Sequence, residues 1–72
     1  MRASDAKVHP MVHTLRERRV ALQMSQVQLA DYVGCAVMTI VGYEHGRTTP
    51  QIHTIEAIAQ VLGMKIVLQE GG

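Results

Sequence analysis

Aromatic side chains are scarce in this chain: of 72 residues only Tyr32 and Tyr43 are aromatic, with no Trp and no Phe. A platform that stacks the bases of single-stranded nucleic acid needs exposed rings, so that mode of binding is disfavoured. One cysteine, Cys35, excludes an internal disulfide and favours a cytoplasmic origin over secretion. No basic start runs into a long apolar segment, so no signal peptide is expected. No apolar run approaches the roughly 20 residues that span a bilayer, so no membrane partner is expected. Ser-His-Asp order, a glycine-rich phosphate loop and paired carboxylates are all missing, and no enzyme is expected. His9 and His13 stand four apart, but zinc would need two further ligands. Cys35, His45 and His53 are not spaced to supply them, so neither metal nor cofactor is expected.

Net charge is also nearly absent. Seven Lys and Arg against six Asp and Glu leave +1, a weak call on any polyanion. The distribution says more, because Arg2, Lys7, Arg16, Arg18 and Arg19 all precede residue 20. At 72 residues the chain holds one domain. A domain of this size buries only roughly 60% of its unfolded surface, so its core is small.

The hydrophobic pattern is helical. Val12, Leu15 and Arg19 follow helical spacing in a first helix over about 9–23, with Pro10 suited to its first turn. Ser25 is an N-cap for a second helix over 26–33, Gln28 completes a capping box, and Gly34 ends it. A third helix runs from Ala36 to about His45, closed by Gly46. Arg47-Thr48-Thr49-Pro50 forms a loop, since the proline blocks helical continuation before it. A fourth helix over about 52–62 carries the apolar stripe Ile52, Ile55, Ile58, Ala59 and Leu62. The tail then changes to period two: Met64, Ile66 and Leu68 alternate with Lys65, Val67 and Gln69, as in a strand. A lone strand needs a partner, and a second copy of the chain is the simplest one. The expected division is an N-terminal arm over 1–8, a helical domain over 9–63 and a dimerisation strand over 64–70.

Two short helices joined by a glycine turn form a helix-turn-helix, whose second helix can enter the major groove of DNA. From Leu15 to Leu62 the chain resembles the Cro/repressor-type (XRE-like, lambda-repressor-like) helix-turn-helix family. LRERR (15–19), SQVQLADYVG (25–34), TIVGYEHG (39–46) and TTPQIHTIEAIAQVLG (48–63) carry the resemblance. It implies an all-α, compact four-helix domain that binds double-stranded DNA as a Cro-like repressor, an excision regulator or an antitoxin of prokaryotic or phage type. It also implies a homodimer on a palindromic site. Arg19 and Glu44 match an ion pair of the family, and the C-terminal strand matches one that pairs across the dimer axis in related antitoxins.

The resemblance places DNA contacts at Gln26 and Gln28, at Ala36, Val37, Met38, Thr39, Val41 and Gly42 of helix three, and at His45, Arg47 and Thr48 after it. Relatives carry polar side chains at most helix-three positions, whereas Ala36, Val37, Met38, Val41 and Gly42 offer no bidentate bond to a base. Three readings stay open. Val37, Met38 and Val41 touch thymine methyls, with Gly42 allowing close approach. Phosphate contacts and DNA shape supply the selectivity. Or the apolar face binds a protein partner, a toxin or another regulator. Arg47 is the leading phosphate contact, with His45 joining it when protonated. Arg18 faces solvent or phosphate, and Arg2 and Lys7 reach an adjacent groove or lie in an idle tail.

Overall fold

A computed structural model describes residues 8–71, and the arm contacts expected of Arg2 and Lys7 lie outside that range. Four helices follow one another: α1 (Pro10–Ala21), α2 (Gln26–Val33), α3 (Val37–Glu44) and α4 (Ile52–Val61).

Local chemistry sets their ends. Pro10 occupies the first turn of α1, where its missing N–H costs nothing, and the Nδ1 of His9 accepts from the Met11 amide at 3.1 Å. At α2 the Ser25 hydroxyl accepts from the Gln28 amide at 3.0 Å, and the Gln28 carbonyl oxygen accepts from the Ser25 amide at 2.8 Å. That reciprocal box satisfies two amide donors that the helix itself leaves unpaired. Gly34, Gly46 and Gly63 end three helices in the left-handed region, as the sequence predicts. The first helix stops without a glycine: Gln23 takes φ 56° instead. Arg19 holds this turn closed by donating from Nη1 to the Met24 carbonyl at 2.6 Å.

The core forms where the helices cross. Leu15, Leu29, Ala30, Ile40, Ile55, Ile58, Ala59 and Leu62 make one buried cluster. Each fully buried Leu or Ile in it contributes about 1.5–3 kcal/mol of transfer free energy. The α2 and α3 helices pack on each other, and α1 and α4 close the other sides. Pro50 is buried, and Cys35 packs half-buried against the cluster.

Two expectations need correction. No strand forms over 64–70, because a single strand has no ladder partner within the chain. Met64 and Ile66 lie half-buried against the core, while Leu68 is 99% exposed, so the alternation breaks after Val67. Ile52 is exposed and lies outside the buried stripe of α4, since it sits in the first turn beyond the reach of α1 and α2. Arg18 is exposed, and its Nε also donates to the Leu62 carbonyl at 3.1 Å, which caps the end of α4.

Candidate nucleic-acid interface

The interface rests on one carboxylate. Glu44, at the end of α3, accepts from Arg19 Nε at 2.8 Å and Arg19 Nη2 at 2.9 Å. It also accepts from Gln26 Nε2 at 3.0 Å. Arg16 Nε stands 3.7 Å away on the solvent side. The Arg19 side chain is 10% exposed and that of Glu44 is 6%, so this fork is largely removed from water. Among the described residues no buried side-chain nitrogen or oxygen lacks a partner. The carboxylate therefore joins α1, α2 and α3 and fixes the angle at which α3 leaves the bundle. The ion pair expected of Arg19 and Glu44 is present with bidentate geometry.

Gln26 donates to the same carboxylate. Its amide is expected at DNA, yet one of its donors is spent on Glu44, which leaves the second N–H of the same amide group. Gln28 is held in the capping box expected of it. Its carbonyl oxygen is committed to the capping box, which turns the side chain back toward the start of α2. Spacing alone fits both the box and a DNA contact; the box takes the carbonyl oxygen and does not use the Nε2 hydrogens of the same side chain.

The α3 helix sorts the remaining candidates by face. Ile40 is its inward anchor, and Val37 packs half-buried on the core beside it. Val37 is thus more a core residue than a reading residue, because it lies only 60° from Ile40 around the helix. Met38, two residues before Ile40 and so on the opposite face, is 60% exposed. Ala36 is exposed at the N-cap position, where no side chain caps the helix. Thr39 and Val41 are half-buried on the flanks, and His45 is exposed at the end of the helix.

Gly42 faces outward by the same geometry yet is buried. The loop over 47–49 folds back on it: the Arg47 amide donates to the Gly42 carbonyl at 2.9 Å, and a Cβ built on Gly42 would stand 3.5 Å from Thr48 Oγ1. The glycine accommodates its own loop. The substitution Gly42→Ala fits at ordinary contact distance and should stabilise the fold by about 0.5–1 kcal/mol through helix propensity. Thermal denaturation reads this directly, and a lower melting temperature would show that the loop cannot yield.

That loop and the outer side of α3 line an open groove with Met38, Thr39, Gly42, Arg47, Thr48, Gln51 and Thr54 on its walls. Arg47 and Thr48 are exposed at its rim. Gln51 and Thr54 are additions that the sequence reading missed. The placement of Gln51 immediately after Pro50 and before α4 is the signal that could have pointed to it. Two histidines lie on α1 apart from this groove: His9 is the cap of α1, and His13 Nε2 lies 3.5 Å from Glu17 on an exposed face. No helix of the described residues is long and apolar enough to cross a membrane.

Comparison with known proteins agrees with this architecture. Residues 15–68 match the helix-turn-helix family model. The chain is similar to an uncharacterised HTH-type transcriptional regulator of Methanothermobacter thermautotrophicus, 35% identical over 63 residues, which covers 81% of this chain and 91% of the relative. No solved structure gives a significant match. With a capped α2, a glycine turn and an α3 locked by Arg19 and Glu44, the chain belongs to the Cro/repressor-type (XRE-like) helix-turn-helix family.

Proposed function

We propose that this protein is a sequence-specific double-stranded DNA-binding regulator of transcription. It acts as a homodimer that places one α3 in each of two successive major grooves of a two-fold symmetric operator. The observation that carries this reading is the contrast between the two faces of α3. One face is locked by Ile40 and the Glu44 fork, and the other holds an exposed Met38 beside a polar loop. In the helix-turn-helix docking mode the first residues of the second helix approach base edges, here Ala36 and Met38. Arg47 and Thr48 grip phosphates beside the groove. Gln26, held by Glu44, presents its second amide hydrogen to the backbone at low entropic cost. The apolar strip then touches thymine methyl groups, which favours A·T-containing half-sites.

Salt separates this reading from a protein-binding one. Each neutralised phosphate adds about 0.9 to the slope of log affinity against log salt. The substitution Arg47→Gln should lower that slope by about one and weaken all duplexes by a similar factor. Fluorescence anisotropy over a salt series measures both. Selection of bound duplexes from a random pool should return a two-fold symmetric consensus with half-sites about 34 Å apart. Affinity for duplexes that does not fall with salt, or a pool that never enriches, would refute the proposal and leave the apolar face to a protein partner.

The dimer contact is assigned to the tail. Val67 and Leu68 are exposed apolar residues beyond the anchored Met64 and Ile66, and their free edge can take a second copy as its ladder partner. Because Leu68 touches nothing in the single chain, Leu68→Asp should leave the fold intact and give a monomer in sedimentation. A Leu68→Asp protein that still sediments as a dimer would move the interface elsewhere.

A further inference from the structure

We infer that α3 reads the C5 methyl group of pyrimidines rather than the base pair that carries it, so that 5-methylcytosine and thymine are equivalent to this protein. The inference rests on the DNA-binding reading above and specifies what that site recognises. Ala36 and Met38 at the entering end of α3, and Val41 one turn later, present only carbon and a thioether to an approaching groove. The two glutamines of α2 are restricted: Gln26 has one amide hydrogen on Glu44, and Gln28 has its carbonyl oxygen on the Ser25 cap, which removes the oxygen-and-nitrogen pair from Gln28. Thr39 remains, and a single hydroxyl bonds a donor or an acceptor alike. In the major groove, A·T and G·C pairs differ in their exocyclic donors and acceptors, which this strip cannot register. The methyl group of thymine projects from C5, and so does that of 5-methylcytosine. A carbon surface gains the same burial from either and loses it with uracil or cytosine.

The test uses four alternating duplexes of equal length at low salt: adenine with thymine, adenine with uracil, guanine with cytosine, and guanine with 5-methylcytosine. Each comparison within a pair type changes only the methyl group. Burial of one methyl group corresponds to roughly four-fold in affinity. Thymine over uracil and 5-methylcytosine over cytosine should both show at least that ratio. The substitution Met38→Ala should bring both ratios toward one, whereas Arg47→Gln should weaken all four duplexes by a common factor. Equal binding within either pair overturns the inference while the DNA-binding reading stands. Ratios unchanged in the Met38→Ala protein assign the effect to groove shape and overturn it too. Failure to bind any of the four duplexes overturns the DNA-binding reading itself.

Discussion

The substitution Glu44→Gln should bring this protein to the edge of unfolding. It removes the carboxylate that pairs with Arg19, whose side chain is 10% exposed. Breaking a buried pair from one side costs about 3–5 kcal/mol, because an uncompensated charge stays in the interior. A chain of 72 residues has a total stability of about 4–11 kcal/mol at typical values per residue. The loss is therefore of the order of the whole. Arg16, whose Nε stands 3.7 Å from the Glu44 carboxylate, loses its partner as well. Urea denaturation should show the midpoint falling by more than half. Replacing both partners, Arg19→Met with Glu44→Leu, should recover most of that loss, because a buried ion pair exchanged for apolar side chains is often neutral. Recovery will stop short of complete. The Met24 carbonyl loses its donor from Arg19, and Gln26 loses its acceptor, each costing about 1–3 kcal/mol if left unsatisfied. A Glu44→Gln protein with an unchanged midpoint would mean that the fork is solvated and that something else sets the angle of α3.

How much of this was legible beforehand follows from the kind of interaction involved. Ser25 and Gln28 stand three residues apart in sequence, so the capping box is a local pattern, and α2 begins and ends where that pattern and Gly34 put it. The buried positions Val12, Leu15 and Arg19 of α1 likewise follow from spacing. Contacts between distant segments carry no such signal. Nothing in the neighbourhood of Arg18 reveals that it caps α4, 44 residues away. Gly42 shows the same limit. Its place on the outward face of α3 is correct by periodicity, but the loop that covers it returns from beyond a left-handed Gly46, which periodicity does not encode. The end of α1 shows a further gap. Gln23 adopts a conformation that sequence rules reserve for glycine or asparagine, and it does so because Arg19 pins the adjoining Met24 carbonyl. The tail failed differently: a period of two is a valid strand signal, but it specifies a strand only when a partner supplies the ladder.

The last expected result separates folding from recognition on a single helix. Ile40→Ala should cost about 2–5 kcal/mol, since it deletes buried carbons whose space the neighbours can only partly fill. Ile40 is 1% exposed and belongs to the cluster with Leu15, Leu29 and Ile58, so all four helices feel the cavity. Met38→Ala, two residues away, should change stability by less than about 0.5 kcal/mol, because its side chain projects on the opposite face. Duplex binding should reverse the order. The folded fraction of the Ile40→Ala protein keeps the outward strip and the Arg47 loop, and should bind with near-normal affinity once corrected for the population unfolded. The Met38→Ala protein is fully folded yet should lose roughly four-fold for each methyl contact it made. Urea midpoints and anisotropy titrations on the two proteins give the four numbers needed. If Met38→Ala destabilises as strongly as Ile40→Ala, then α3 is rotated from the orientation described, and the apolar residues that face outward are core residues of a larger assembly.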